Sequence, residues 1–408
     1  METIERVYRE EFGRVVASLV RRFGDIDVAE DAAGEALLVA LERWPRDGVP
    51  PNPGAWLTTT AARKAIDRIR RESHRDAKHR AAEMITDDTP HEPTGVVGDD
   101  RLRLVFTCCH PALAPEARVA LTLRLLGGLT VAEIAHAFFV PETTMAQRIT
   151  RAKRKIAGAH IPYRVPEPAD LPARLGAVLA VVYLVFNEGY LATSGTATRD
   201  DLAAEAIRLG RMLRQLLPDD LEVRGLLALM LLTEARRPSR VAADGTLVPL
   251  PEQDRGGWSR PLIAEGHALV RECLAAGRPG RYQVMAAVNA VHTDAVTADE
   301  TEWRSVVALY DQLLRLDPNP VVALNRAVAV AELDGPELAL AIVDRLPPEQ
   351  MTRYHAWHVT RADLLRRLGR SAEARAAYDA ALALTDNPAE TAYLTRRRDQ
   401  LVSPPPGG

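Results

Sequence analysis

The segment Leu129-Thr-Val-Ala-Glu-Ile-Ala-His-Ala-Phe-Phe-Val-Pro-Glu-Thr-Thr-Met-Ala-Gln-Arg-Ile-Thr-Arg-Ala-Lys-Arg-Lys155 reads as two helices joined by a tight turn. Thr130 and Glu133 stand three apart. That is the spacing of a capping box, in which hydroxyl and carboxylate each satisfy a free backbone N–H at a helix start. Ile134 and Ala135 then face a core, and Phe139-Val-Pro-Glu142 makes the turn. The next helix puts Met145, Ile149, Ala152 and Ile156 on one face, at offsets of three and four. The opposite face carries Thr144, Gln147, Arg148, Arg151, Lys153, Arg154 and Lys155. A capped helix, a turn and a polar, basic second helix make a helix-turn-helix sized for the major groove of DNA. A merely solvated charged helix would explain the second element but not the capped helix and turn before it.

Working toward the N-terminus, almost everything is helical in pattern. Ile4–Phe23 places Val7, Tyr8, Phe12, Val15, Val16, Leu19 and Val20 on one stripe, and Gly24 stops it. A second helix is expected from about Val28 to Trp44, with Asp27 as N-cap. Pro45-Arg-Asp-Gly-Val-Pro-Pro-Asn-Pro-Gly54 reads as a loop, and a third helix follows over about Ala55–Arg71. Residues 76–100 read as a linker that turns polar and rich in Pro and Gly.

Toward the C-terminus, the Pro-rich stretch Ile161–Pro172 marks a joint. Residues 173–286 look helical without a clear period, and Arg236–Trp258 interrupts them as a long loop or hairpin. Beyond it, Gly335 and Gly369 lie 34 residues apart, each five residues before a packing position, Leu340 and Ala374. A 34-residue helix-turn-helix period is the tetratricopeptide pattern. It predicts units of about 287–320, 321–354 and 355–388 within a repeat region 287–400, with the Pro404–Gly408 tail unstructured.

Hydrophobic residues make up 47% of the chain and charged residues 26%, with a net charge of −3, which is an ordinary globular balance. The even total hides two basic stretches. Ala55–Arg80 holds eight Lys or Arg against three acids, and Glu142–Arg164 holds six against one. All four lysines, Lys64, Lys78, Lys153 and Lys155, fall inside them. Localised basic stretches of this kind suit a nucleic-acid contact. There is no leader-like N-terminus, and the apolar runs Leu179–Phe186 and Gly225–Thr233 are too short to cross a bilayer, so a cytoplasmic protein without membrane contact is expected.

Asp27-Val-Ala-Glu-Asp-Ala-Ala-Gly-Glu-Ala-Leu-Leu-Val-Ala-Leu-Glu-Arg-Trp44, the Pro/Gly loop, and Ala55-Trp-Leu-Thr-Thr-Thr-Ala-Ala-Arg-Lys-Ala-Ile-Asp-Arg-Ile-Arg-Arg71 together resemble region 2 of extracytoplasmic-function sigma factors. The helix-turn-helix resembles their region 4, and the two modules stand in the family's order. With the repeat-like C-terminal region, the chain resembles the group of these factors that carries a tetratricopeptide-like extension. Arg101–Ala117, with its Cys108-Cys109-His110, looks typical of that group.

The resemblance implies an all-α fold: sigma region 2 over 1–75, the linker 76–100, region 4 over 101–160, a helical extension over 173–286 and repeats over 287–400. It implies core RNA polymerase and promoter DNA as partners, with polymerase binding by Asp31, Glu35 and Arg43. The −10 element would meet Trp56, Thr59, Arg63, Lys64, Asp67, Arg68, Arg70 and Arg71. Flipping a base out of the duplex costs a few kcal/mol, which a shaped pocket and phosphate contacts must offset. The −35 element would meet Thr144, Gln147, Arg148, Arg151, Lys153 and Lys155; many relatives have a basic residue where this chain has Ala146. The extension would contact the chain's own sigma domains or a protein or peptide partner.

Nothing in the residues calls for a catalytic site, cofactor or metal. Cys108 and Cys109 are adjacent, so on a helix they diverge, and no second pair completes a zinc site; core cysteines are the simpler reading. Asn187-Glu188 beside an apolar run reads as a helix end closed by Gly189. A helix-turn-helix regulator with a helical-repeat sensor is the alternative, and it leaves the first 75 residues without a role.

Overall fold

A computed structural model describes residues 2–76, 97–138, 140–190, 197–242, 246–385 and 388–401. The expected linker lies largely outside the described residues, as do Phe139 of the expected turn and the Pro404–Gly408 tail. Among the described residues there are nineteen α-helices, and the only extended pairing is an isolated bridge between Val241 and Leu247. The all-α expectation is met. The chain divides into two compact units, Met1–Glu188 and Gly189–Gly408.

The first unit opens with three mutually packed helices, α1 (Glu2–Phe23), α2 (Ile26–Asp47) and α3 (Pro53–Asp76). Gly24 adopts φ +70°, a left-handed conformation that reverses the chain at once. Asp25 therefore caps α2, accepting from the Asp27 and Val28 N–H groups at 2.7 and 3.0 Å. The expected cap, Asp27, sits inside the first turn instead. The far end also runs on: α2 continues through Pro45 and stops at Gly48, whose N–H bonds the Trp44 carbonyl at 3.0 Å. Asn52 accepts from Ala55 N–H and starts α3 two residues early, so the loop is shorter than the Pro/Gly content suggested. Ala29, Ala32, Ala33, Ala36 and Ala40 form a small-residue face on α2 that lets α1 and α3 approach closely.

The unit continues with α4 (Val97–Cys108), α5 (Pro115–Leu125), α6 (Val131–Ala137), α7 (Glu142–Gly158) and α8 (Leu171–Tyr190), which reaches its end. Met145, Ile149, Ala152 and Ile156 of α7 are all buried, as their spacing required. These helices share a core with the first three. A Cβ on Gly13 of α1 would lie 2.9 Å from the Leu126 carbonyl oxygen, and Gly128, at φ +73°, lies against Phe12. The Pro-rich joint is also tied in. The Tyr163 hydroxyl lies 2.8 Å from the Ala17 carbonyl and 2.9 Å from that of Asp100, and burial raises its pKa. Arg174 donates to the Phe106 carbonyl at 2.7 Å. The compact unit therefore runs past the joint to Glu188. In length and composition α8 would suit a membrane, being longer than the run Leu179–Phe186 suggested. Val178, Leu179, Val181, Val182, Val185 and Phe186 are nonetheless buried in the protein, which is how a core helix behaves. Gly189 lies within α8 and does not close it.

The second unit begins with α9 (Ala197–Leu216), α10 (Leu221–Glu234), α11 (Arg260–Ala276), α12 (Arg281–Asp294) and α13 (Trp303–Leu316). It continues with α14 (Pro320–Leu333), α15 (Pro336–Val343), α16 (Pro348–Met351), α17 (His355–Arg367), α18 (Ser371–Leu382) and α19 (Pro388–Asp399). Contacts run mainly between successive helices, as in a quasi-linear array. Gly335 and Gly369 have φ of +99° and +72° and turn the chain between helices of a pair. Leu340, Ala374, Tyr378 and Ala381 are buried against neighbours in one core. The pair α12–α13 starts at Arg281, six residues before the expected repeat border at 287. The described residues 236–242 and 246–258 form the expected irregular excursion, with Trp258 packed against Ala235 and Ile263. At its start, Arg237 and Arg240 donate to the carbonyls of Gly189 and Tyr190, which belong to this same second unit.

Candidate nucleic-acid and polymerase interface

The capping box forms as its spacing required. Thr130 N–H donates to Glu133 Oε2 at 2.6 Å, and Glu133 N–H donates to Thr130 Oγ1 at 3.1 Å. This secures the start of the seven-residue α6, too short to hold itself, which packs against α7. On α7, Thr144, Gln147, Thr150, Arg151, Arg154 and Lys155 are exposed, and Arg148 is half-buried. Pro141 precedes the helix and its carbonyl accepts from the Thr144 and Met145 N–H groups at 2.9 and 3.1 Å, with Glu142, Thr143 and Thr144 exposed beside it.

Lys153 departs from this face. Its ammonium lies 2.7 Å from Asp27 Oδ1 and 2.5 Å from Glu30 Oε2, both on α2, and its side chain is only 12% exposed. Burial alone would pull its pKa down, but Glu30, Asp27 and the hydrogen bonds to both hold it above the ordinary lysine value. Arg124 of α5 completes the group, with Nε 2.5 Å from Glu30 Oε1 and a second N–H on the Leu129 carbonyl at 2.7 Å. Sequence reasoning missed Glu30, Asp27 and Arg124. The available signal was an acid set beside an alanine face, which needs a counter-charge once covered.

The acids and bases expected to serve polymerase and the −10 element are also brought together. Asp31 pairs with Arg68, and Glu35 lies 3.7 Å from Lys64, forming a two-rung ladder between α2 and α3. Thr59, Arg63, Asp67, Arg70 and Arg71 are exposed along α3, with Arg71 Nε donating to the Asp67 carbonyl at 3.2 Å. Arg43 is exposed near the C-terminal end of α2. Trp56 is half-buried and meets the buried Trp44 edge-on, with ring centroids 5.3 Å apart. A second missed feature is apolar: Leu38 and Leu41 on α2 are 61% and 40% exposed, beside the Asp31–Glu35 face. Cys108 and Cys109 are buried; burial pushes the Cys109 thiol up to about 11 and the Cys108 thiol up as well. The Cys109 sulfur sits 3.5 Å from the Thr122 hydroxyl.

A three-helix bundle with an acid-and-base ladder, followed by a capped helix-turn-helix, can be set beside known proteins. The sigma-70 region 2 family matches residues 7–75, and sigma-70 region 4 matches residues 103–156. Residues 174–274 match a family of unknown function. An uncharacterized protein of Rhizobium meliloti (strain 1021) is 44% identical over 400 residues, covering 96% of this chain and 94% of that one. The ECF RNA polymerase sigma factor SigK of Mycobacterium ulcerans (strain Agy99) is 30% identical over 148 residues, covering 35% of this chain and 76% of SigK. SigK of Mycobacterium tuberculosis (strain ATCC 25618 / H37Rv) is 29% identical over 150 residues, covering 35% of this chain and 78% of that one. The first unit thus defines a DNA-binding transcription-initiation protein of the sigma-70 type. More narrowly, the chain belongs to the ECF RNA polymerase sigma factor family, whose partners are core polymerase and promoter DNA.

Proposed function

We propose that this sigma factor docks on core polymerase through α2, captures the −10 strand on α3 and reads the −35 element with α7, under the control of its C-terminal helical array. The observation that carries this reading is the two-sided α7: a buried apolar face, and an exposed face of Thr144, Gln147, Arg151 and Lys155 held by a formed capping box. Thr144, Gln147, Arg148 and Arg151 contact base edges or phosphates, and Lys155 contacts phosphate. On α3, Arg63, Lys64, Arg68, Arg70 and Arg71 hold the phosphates of the displaced strand, while Thr59 and Asp67 lie beside the base. Trp56 shapes this site from its packed position on Trp44. Polymerase is met by Asp31, Glu35 and Arg43, with Leu38 and Leu41 adding an apolar contact. Charged rims of this kind steer association, and exposed leucines supply the buried centre that gives affinity.

The extension is read as a tetratricopeptide-like array that grips the chain's own sigma regions or a peptide partner, in a protein working in the cytoplasm. Its nearest-neighbour helix order and the two positive-φ glycines 34 residues apart support that reading. The test is transcription in vitro with purified chain, core bacterial polymerase and a library of promoter fragments. Specific transcripts are expected only when both proteins are present. Duplex binding without any core binding would replace this reading with that of a stand-alone regulator. Cutting the chain after Glu188 is expected to change transcript yield, and an unchanged yield would remove the regulatory role of the array.

A further inference from the structure

In the second unit, the excursion between α10 and α11 closes on itself. The Ser259 N–H donates to the Ala235 carbonyl at 2.8 Å, and Trp258 packs on Ala235, which brings Arg236 and Trp258 together. Asp254 accepts from the Gly256 N–H at 2.8 Å and shapes the short turn that carries Arg255. One terminal nitrogen of Arg255 donates to the His292 and Ala295 carbonyls, both at 2.7 Å, and so closes the free C-terminal end of α12. The Arg255 guanidinium also lies 5.0 Å from the centroid of the Trp258 ring. Arg236 donates to Asn289 Oδ1 at 2.8 Å, three residues before His292 on the same helix.

Each of four groups in this cluster keeps a buried nitrogen with no hydrogen-bond partner among the described residues: Arg236 Nε, Arg255 Nε, Trp258 Nε1 and His292 Nδ1. Arg255 and His292 are each 9% exposed, and Trp258 is 3% exposed. Nor do Arg236, Arg240 and Arg255 form an ion pair among the described residues; the charges of Glu300 and Glu390 reach Arg255 and Arg240 only from a distance. Burial pulls all three guanidiniums below the ordinary arginine pKa. Arg240 lies 4.2 Å from the centroid of the Tyr190 ring, and these two residues and Arg236 are half-buried, so the cluster reaches the surface on this side. Buried donors are ordinarily matched by acceptors, and buried cations by anions. What matches this set is one group with several acceptor oxygens and a negative charge.

We propose that this cluster binds a small oxyanion, the phosphoryl or carboxylate group of a ligand, which accepts from Arg236 Nε, Arg255 Nε and Trp258 Nε1. His292 Nδ1 adds a fourth donor when it carries the ring proton. The guanidinium edges engaged on Asn289 and on the α12 carbonyls hold both arginines in place, so little ordering is left for the ligand to impose. A neutral or cationic ligand would leave two buried guanidiniums without a counter-charge, so the cluster selects anions. The donors come from the excursion and from α12, and an anion bound to both ties them together and stabilises the second unit by mass action. The site lies within the second unit and does not rest on the polymerase or promoter reading.

Anion titration of the full chain tests it. Sodium phosphate and sodium acetate are each exchanged against sodium chloride at constant ionic strength, with binding heat and thermal melting as readouts. Saturable one-site binding that raises the melting temperature is expected. Phosphate binding the more tightly assigns the site to a phosphoryl group, and acetate binding the more tightly assigns it to a carboxylate. A hydrogen bond from a charged donor corresponds to ~tenfold or more in affinity. Arg236→Met keeps the apolar stem and removes the charge, so it should weaken binding at least ~tenfold. Trp258→Phe keeps a ring in the packed position and removes the N–H. It should weaken binding ~threefold to tenfold with an anion-free melt close to that of the parent, so the test does not depend on Arg236→Met folding. Failure of both anions to saturate below about 20 mM overturns the proposal. Binding that neither substitution weakens belongs to another basic surface, such as α7, and overturns it as well.

Discussion

Acid should weaken the second unit through His292. This residue is 9% exposed, with its ring edge-on to Trp303 at 5.3 Å and its carbonyl accepting from Arg255 at 2.7 Å. Burial, then the charges of Arg236 and Arg255, push its pKa down to about 4. In the unfolded chain the ring takes up a proton below pH ~6.5, whereas the folded protein refuses it until about pH 4. The stability is therefore full above the unfolded value and is lost as pH falls, at ~1.4 kcal/mol per unit. The loss is ~2 kcal/mol near pH 5 and about 3 kcal/mol near pH 4. For a unit of this size, 2 kcal/mol corresponds to a drop of ~4–8 °C in Tm. His267, also held low by burial, has the same sign, so a paired comparison is needed to isolate His292. His292→Phe keeps a ring against Trp303 and removes the titration. Thermal melts of both full-length proteins should show the stability difference shifting by ~2 kcal/mol in favour of the variant between pH ~7.5 and ~5. A difference constant to within ~0.5 kcal/mol over that range would refute the assignment of His292 as a buried neutral ring.

Three further outcomes follow from particular contacts. Thr130→Ala removes one half of the capping box and should cost about 1 kcal/mol by denaturant titration, with Thr130→Ser close to wild type. Gly225→Ala would place a Cβ 2.5 Å from the Gln283 backbone nitrogen, so α10 and α12 must separate. A loss of ~1–3 kcal/mol is expected, and an unchanged melt would show that the helices are not so close. Arg151→Ala, on the exposed face of α7, should weaken binding to the mapped −35 duplex by ~1–3 kcal/mol while leaving Tm unchanged.

The parts of the fold legible in sequence are those fixed by local chemistry. Thr130 and Glu133 announced a helix start, and Met145, Ile149, Ala152 and Ile156 announced a buried face; both formed. Boundaries were lost where two local answers competed. Asp25 and Asp27 can each cap a helix, and the left-handed turn at Gly24 selects the first. Prolines mark where a helix must stop, not where packing ends, so the Pro-rich joint reads as a domain border although Tyr163 and Arg174 anchor it to the first unit. The α12 start was missed for a similar reason. The repeat period was anchored on Gly335 and Gly369, while the longer connection between α12 and α13 shifts the earlier pair out of register.

The candidate site shows a different limit. Periodicity assigns a face but not a partner. Lys153 stands one residue after Ala152 and four after Ile149, at the edge of the buried stripe, where a long side chain can lie on either side. What turns it inward is Glu30, more than a hundred residues away in sequence. The same applies to Asp31 with Arg68 and Glu35 with Lys64: acids read as polymerase contacts and bases read as DNA contacts are each other's counter-charges in the free protein. Formal charge counts along the chain therefore overstate the field it presents to DNA. On the proposed polymerase surface, a partner that takes the acids of α2 unmasks the bases of α3 at the same step, so these pairs would couple polymerase binding to readiness for the promoter strand. Because each exposed pair is weak on its own, the coupling is graded and sensitive to salt.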